Sequence, residues 1–140
     1  MNVTYDLLYR IMTMAFPWNA WIMVMAIVNV GGGIFFSRTL EGILALVAMM
    51  VSFVMMAIIH ARLGFVRLLG IGHILVWPPL VTWFLWTALS SSVSGPFRAW
   101  LLAVIVINST SLLIDLVDIV RFMRGERDSI GSTTARATSL

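Results

Sequence analysis

Long apolar runs separated by short polar segments are the dominant pattern of this chain. Four such runs cover residues 16–36, 42–60, 71–89 and 97–122. A helix of about 20 residues spans the hydrocarbon core of a bilayer, because each residue adds about 1.5 Å and the core is roughly 30 Å thick. The pattern therefore predicts an all-α integral membrane protein in which four transmembrane helices form one bundle.

The segment before the first run, residues 1–15, has a different pattern. Val3 and Leu7 fall near one face of a helix, whereas Asp6 and Arg10 fall on the other side. A helix with one apolar and one charged face is typical of a segment that lies in the membrane interface. We therefore expect an N-terminal amphipathic interfacial helix that contacts membrane lipid.

The segment after the last run, residues 123–140, is polar and rich in Ser and Thr. Such a composition buries too little apolar surface to fold, so we expect a flexible, disordered tail. Four spans would place this tail and the N-terminal helix on the same side of the membrane.

The arginines predict which side that is. The side of both termini would carry Arg10, Arg62, Arg67, Arg121, Arg124, Arg127 and Arg136, and the opposite side only Arg38 and Arg98. Positive residues concentrate on cytoplasmic loops, so both termini and the tail are expected in the cytoplasm. All nine basic residues are Arg and none is Lys. We interpret this bias as bacterial, which makes the expected location a bacterial inner membrane with a multi-pass topology.

Polar residues enter the last apolar run at a helical interval. Asn108, Ser111, Asp115 and Asp118 are separated by three or four residues, and Arg121 follows three residues later. This spacing aligns them on one helix face. Carboxylates within a membrane helix cost free energy, so they require partners, water or a function.

The predicted topology brings further polar residues to the same end of the bundle. His60 ends the second run, His73 begins the third, and Arg62 and Arg67 lie between them. One interpretation is a structural network of ion pairs that holds the spans together. Another is a proton or cation path that begins at Asp115 and continues along the polar face.

Two further features concern helix shape and packing. Pro78 and Pro79 fall inside the third run, where they remove backbone hydrogen bonds and predict a kink. Gly31, Gly32 and Gly33 end the first run and predict a close approach by a neighbouring helix.

Composition narrows the possible chemistry. Hydrophobic residues make up 61% of the 140 residues and charged residues only 11%, and the net charge is +3. There is no Cys, which excludes disulfides, thiolate metal sites and a Cys nucleophile. No Ser-His-Asp arrangement with a recognisable spacing and no phosphate-binding motif is present, so we expect no enzyme activity. The few arginines are explained by topology, so no nucleic-acid binding is expected.

The two histidines leave two cofactor alternatives open. His60 and His73 on neighbouring spans are the minimum for bis-His ligation of haem b in an electron-transfer subunit. The same residues with Asp115 and Asp118 form a chemically sensible donor set for zinc or iron. Histidines at helix ends more often meet carbonyl groups or carboxylates, so we expect neither a metal nor a cofactor.

These observations order three functional hypotheses. The first is a non-enzymatic inner-membrane protein that acts as an accessory or assembly component and contacts itself or other membrane subunits. The second is an oligomeric channel or proton-coupled transporter that uses Asn108, Ser111, Asp115 and Asp118. The third is the haem-binding subunit that would use His60 and His73.

Overall fold

A computed structural model of the chain describes residues 2–126, and all regular structure within that range is helical. Five helices follow one another along the chain. They are α1 (Val3–Met12), α2 (Trp18–Phe35), α3 (Leu40–Leu63), α4 (Ile71–Leu89) and α5 (Gly95–Met123). A π-helical turn, Ile27–Gly31, lies within α2, and a 3₁₀ turn, Arg67–Gly70, leads into α4. Residues 127–140, which include most of the predicted tail, lie outside the described residues.

Four of these helices are long and apolar enough to cross a membrane. The corresponding segments are Trp18–Phe35, Leu40–Leu63, Arg67–Leu89 and Gly95–Met123. The prediction of an all-helical chain with four helices of spanning length is therefore confirmed for residues 2–126.

Local capping explains where the second of these long helices begins and ends. The Thr39 hydroxyl accepts a hydrogen bond from the backbone N–H of Gly42 at 3.1 Å, which caps the start of α3. Gly64 ends the helix with a φ of +79°, a conformation that glycine adopts without steric cost. The helix consequently extends three residues beyond His60, where the apolar run was expected to end.

Large aromatic side chains fill the core from the middle of the bundle to the end that contains the start of α3 and α5. Trp77 and Phe84 are fully buried, and Trp100 stacks on Phe36 with ring centroids 5.0 Å apart. The facing positions of α3 are small, with Ala45 fully buried. Large side chains opposite alanines allow α3, α4 and α5 to pack closely.

The three consecutive glycines of α2 have different surroundings. A Cβ on Gly32 would collide with the indole of Trp100, and one on Gly33 would lie 2.9 Å from Leu46. A Cβ on Gly31 would meet no atom within 4 Å. Close packing thus involves Gly32 and Gly33, while Gly31 faces open space.

The two prolines of α4 lie on its exposed side, and the helix continues through them from Ile71 to Leu89. The Thr82 hydroxyl donates to the carbonyl oxygen of Pro78 at 3.0 Å. Pro78 and Pro79 therefore do not end the helix.

Candidate functional site

The ion pairs of residues 2–126 lie at one end of the bundle, where α3 ends and α4 begins. The pairs are Asp6–Arg10, Asp6–His60, Arg67–Asp118, Arg67–Glu126, His73–Asp115 and Arg121–Glu126. The opposite end holds the aromatic core and one buried carboxylate. Charge is thus concentrated at one end, as the predicted topology requires, but the partners differ from those that sequence spacing indicates.

His73 and Asp115 form the innermost of these pairs. His73 lies on the first turn of α4, and its Nδ1 is 2.8 Å from Oδ2 of Asp115 on α5. The side chains are only 10% and 20% exposed. Gly70, in the preceding 3₁₀ turn, makes room for this contact, because a Cβ there would collide with the Asp115 carboxylate.

The other ring nitrogen of His73 continues the contact deeper into the bundle. His73 Nε2 lies 3.1 Å from Oδ1 of Asn108. Asn108 Nδ2 donates to Oδ1 of Asn29 at 2.8 Å, and Asn29 Nδ2 donates back to Asn108 Oδ1 at 3.3 Å. Both asparagines are fully buried. We call Asp115, His73, Asn108 and Asn29 the buried polar network; it joins α2, α4 and α5.

The network ends at Asn29. This residue lies in the π-helical turn of α2, where the regular i→i−4 hydrogen-bond pattern is interrupted. The Val28 carbonyl in the same turn accepts a hydrogen bond from Trp100 Nε1 at 2.9 Å. Beyond the turn, Leu101 and Val104 are fully buried apolar residues.

Sequence reasoning recognised Asn108 but did not assign Asn29 to the site. The available signal was an amide in an otherwise apolar run, which costs free energy unless it finds a partner. That signal does not identify the partner, since the two asparagines are separated by 79 residues along the chain.

Ser111 makes a second connection between α5 and α2. Its hydroxyl accepts a hydrogen bond from Trp21 Nε1 at 3.1 Å and lies 3.3 Å from the sulfur of Met25. The predicted polar face of α5 thus faces α2 as well as α4.

Asp118 pairs across the bundle with Arg67. Arg67 Nη1 is 2.6 Å from Asp118 Oδ1, and the two side chains are 11% and 14% exposed. Arg121, which is spaced for local pairing with Asp118, instead lies 2.6 Å from Glu126. The hydrogen bond from Arg121 lowers the pKa of the Glu126 carboxyl below its ordinary value. Arg62 is exposed at the end of α3 and joins none of these pairs.

His60 contacts a different carboxylate from His73. Its Nε2 is 2.8 Å from Oδ2 of Asp6 on α1, and the same oxygen accepts from Arg10 Nε at 2.9 Å. The hydrogen bonds from Arg10 and then from His60 lower the pKa of the Asp6 carboxyl. Sequence analysis placed Asp6 on the polar face of α1 but did not connect it with His60.

Glu41 is the buried carboxylate at the opposite end of the bundle. It is 8% exposed, and its Oε1 accepts from Trp83 Nε1 at 3.1 Å and from Thr87 Oγ1 at 3.2 Å. Glu41 precedes the apolar run predicted from residue 42 and lies in the first turn of α3. A carboxylate in the first turn interacts favourably with the helix dipole.

The cofactor alternatives meet specific obstacles in this geometry. Within residues 2–126, no three or more His, Asp or Glu side chains are grouped so that they could hold a metal ion. The four candidate ligands are divided among three pairs, namely His60–Asp6, His73–Asp115 and Asp118–Arg67. Ligation of haem iron by His73 would break one of its two hydrogen bonds.

The chain matches no protein-family model, no curated protein and no solved structure.

Proposed function

We propose that the chain is a small, non-enzymatic protein of a bacterial inner membrane that acts as an accessory or assembly component of a membrane complex. The observation that carries this proposal is the direction of its polar groups. Most buried polar side chains of the four long helices bond to a residue of another helix, while the exposed surfaces of these helices are largely apolar.

The polar contacts join each long helix to another. The buried polar network joins α2, α4 and α5, Trp21–Ser111 joins α2 and α5, and Glu41 accepts from two residues of α4. Interhelical hydrogen bonds in membranes are each worth roughly 0.6 to 2 kcal/mol. Their combined effect supports a structural role, because it holds one arrangement of the helices.

The outward surface is large relative to the core. In the most apolar stretch of α2 only 11% of the residues are buried, and in that of α3 only 22% are buried. Phe35, Ile27 and Val106 are among the exposed apolar side chains, at 79%, 64% and 64%. Such a surface suits contact with lipid and with the helices of partner subunits or further copies of this chain.

A second candidate is an oligomeric channel or proton-coupled transporter. The observation that favours it is a titratable pair, His73–Asp115, at the head of a hydrogen-bonded chain that reaches Asn29. A route across a single copy would also have to pass Leu101, Val104, Trp77 and Phe84 before it reached the region of Glu41. These buried apolar residues support the structural role over conduction.

Native mass spectrometry of the protein, released gently from its own membranes, tests the first candidate. We expect masses that correspond to this chain together with other membrane subunits. A preparation that contains only the single chain or only its homo-oligomer would contradict the accessory role.

Flux measurements test the second candidate. Purified protein in liposomes that contain a pH-sensitive dye should show no proton flux above empty liposomes. Flux that Asp115→Asn abolishes and Asp6→Asn retains would establish the transporter and overturn the structural role. Asp6→Asn is the control because it also removes one carboxylate charge, but from α1, outside the four long helices.

A further inference from the structure

Both ring nitrogens of His73 face oxygen atoms. Nδ1 is 2.8 Å from Asp115 Oδ2, and Nε2 is 3.1 Å from Asn108 Oδ1. A neutral imidazole has one N–H donor and one acceptor nitrogen, so two oxygen neighbours restrict where its protons can be. The identity of the atom opposite Nε2 therefore decides the protonation of the ring.

The orientation of the Asn108 amide is determined by its other contacts. Asn108 Nδ2 donates to the Val104 carbonyl at 2.8 Å, and Asn29 Nδ2 donates to the Met25 carbonyl at 2.9 Å. A flip of either amide would place its oxygen against a backbone carbonyl oxygen, where no hydrogen is available. Each amide nitrogen therefore donates to a backbone carbonyl of its own helix. The Oδ1 atom of Asn108 consequently faces His73.

His73 Nε2 must therefore donate to Asn108, whatever the state of the rest of the ring. A carbonyl-type oxygen can only accept, and a bare Nε2 would leave two lone pairs facing each other in a buried site. Exchange of a proton is consequently confined to the other side of the ring, between Nδ1 and Asp115.

From this arrangement we propose that His73 and Asp115, which we call the dyad, form a one-sided proton-binding site. Nε2 of His73 retains its proton, while one exchangeable proton lies between Nδ1 of His73 and Oδ2 of Asp115. With this proton present, the pair is either an imidazolium with a carboxylate or a neutral imidazole with a carboxylic acid. When the proton leaves to water, bare Nδ1 faces the Asp115 carboxylate. The two lone pairs repel, and the contact between α4 and α5 weakens.

The groups around the dyad are consistent with a single exchangeable proton. On α5 the nearest further carboxylate is Asp118, which is paired with Arg67 of the 3₁₀ turn. On α4 the neighbour is the Trp77 ring, 5.4 Å from that of His73. α2 contributes the amide of Asn29, and α3 presents Ser52 and Met55 to the adjacent Gly72. Asp115 and His73 are thus the titratable partners in direct contact with each other.

The position of Asp115 on α5 indicates the side from which the proton exchanges. Asp115 lies one turn from Asp118, toward the charged end of the bundle, whereas Asn29 and Asn108, beyond Nε2, are fully buried. We therefore assign the exchange with water to the Asp115 side. The site requires neither a partner subunit nor an oligomer, so it can be tested on the single full-length chain whatever the outcome for the accessory role.

Nitrogen NMR of the histidine rings in ¹⁵N-labelled, full-length protein in lipid vesicles tests the site. At each pH from about 5 to about 9, the range in which a histidine usually changes charge, we expect Nε2 of His73 to carry a proton. A neutral His73 with the proton on Nδ1 and none on Nε2, at any pH in this range, would overturn the proposal.

Hydrogen exchange into D₂O tests the one-sided access in the same sample. The proton on Nδ1 should exchange before the proton on Nε2. Exchange of Nε2 first, or of both together, would show that water reaches the dyad from the Asn29 side and would overturn the assigned direction.

Two variants provide matched controls. Asp115→Asn removes the carboxylate opposite Nδ1, so the Nδ1 resonance of His73 should shift. In Asp118→Asn it should stay at its wild-type position, because that carboxylate contacts Arg67 instead. A shift in Asp118→Asn as large as that in Asp115→Asn would contradict the assignment of the proton to the dyad. If a variant fails to fold, the wild-type spectra alone decide.

Discussion

The two histidine–aspartate pairs of this protein have the same separation and opposite surroundings. His60 Nε2 and Asp6 Oδ2 are 2.8 Å apart, as are His73 Nδ1 and Asp115 Oδ2. Asp6 is shared with the exposed Arg10, and the other nitrogen of His60 is buried without a hydrogen-bond partner within residues 2–126. The second nitrogen of His73, by contrast, is bonded to Asn108.

The difference shows that a short distance does not define the role of an ion pair. The Asp6–His60 contact attaches a short surface helix to the end of α3, and Arg10 continues to hold Asp6 if His60 is removed. The His73–Asp115 contact is one step in a buried series in which each group depends on the next. Removal of one member leaves buried donors or acceptors unsatisfied, which costs more than the pair contributes while it is intact.

The largest expected effect is that of Asn108→Leu. The substitution removes the acceptor of His73 Nε2 and both bonds to Asn29, so we expect a loss of about 2 to 4 kcal/mol in the free energy of unfolding. Steric-trap unfolding in bicelles measures it. Thr110→Leu is the control, because Thr110 is exposed on the same helix and its hydroxyl donates to the Val106 carbonyl one turn earlier in that helix. A loss in Thr110→Leu equal to that in Asn108→Leu would mean that the network has no special role.

Gly70→Ala should have the next largest effect. The added Cβ would collide with the Asp115 carboxylate and displace it from His73, at an expected cost of about 1 to 3 kcal/mol in the free energy of unfolding. Gly31→Ala adds the same methyl group in open space and should stabilise α2 by up to about 1 kcal/mol, as alanine does in helices. Equal effects of the two substitutions in the same assay would contradict the close approach at Gly70.

Asp6→Asn tests the surface pair and should have a local effect. Loss of the carboxylate weakens the contacts with Arg10 and His60, so α1 should separate more often from the end of α3. Hydrogen exchange followed by mass spectrometry should show faster exchange in Val3–Met12 and unchanged exchange in α4 and α5. Faster exchange throughout the long helices would show that this pair, too, supports the bundle.

The smallest expected effect is the response of α1 to acid. Hydrogen bonds from Arg10 and His60 lower the pKa of Asp6 in the folded protein below its ordinary value of about 3.9. The stabilisation that the ionised Asp6 carboxylate gives to the attachment of α1 is therefore complete above its ordinary pKa. It is lost as the pH falls through the lowered pKa of the folded protein. Exchange in α1 should accelerate only below about pH 4, and Asp6→Asn should remove this dependence. Acceleration that begins near neutral pH would assign the response to another group.

Several features of the site followed from spacing along the chain, and others did not. The alignment of Asn108, Ser111 and Asp115 on one helix face is a local property, and these residues do face the bundle interior together. The partner of Asp118 is not local. Arg121 has suitable spacing, but Arg67 reaches Asp118 across the bundle and Arg121 turns to Glu126.

The sequence by itself determined the number, type and approximate limits of the long helices. It could do so because helix formation and membrane partitioning depend on the properties of contiguous residues, and each apolar run satisfies its own backbone hydrogen bonds. The position of charge at one end of the bundle followed from the alternating direction of four spans.

Only the tertiary structure decided which polar groups meet. The bonds His73–Asp115, His60–Asp6 and Asn108–Asn29 join residues 42, 54 and 79 positions apart. Their formation depends on helix rotation and separation, which are set by the packing of Trp100 against Gly32 and by the space that Gly70 leaves beside Asp115. A periodic pattern identifies the face of a helix that needs partners, but the partners are identified only when the helices are packed.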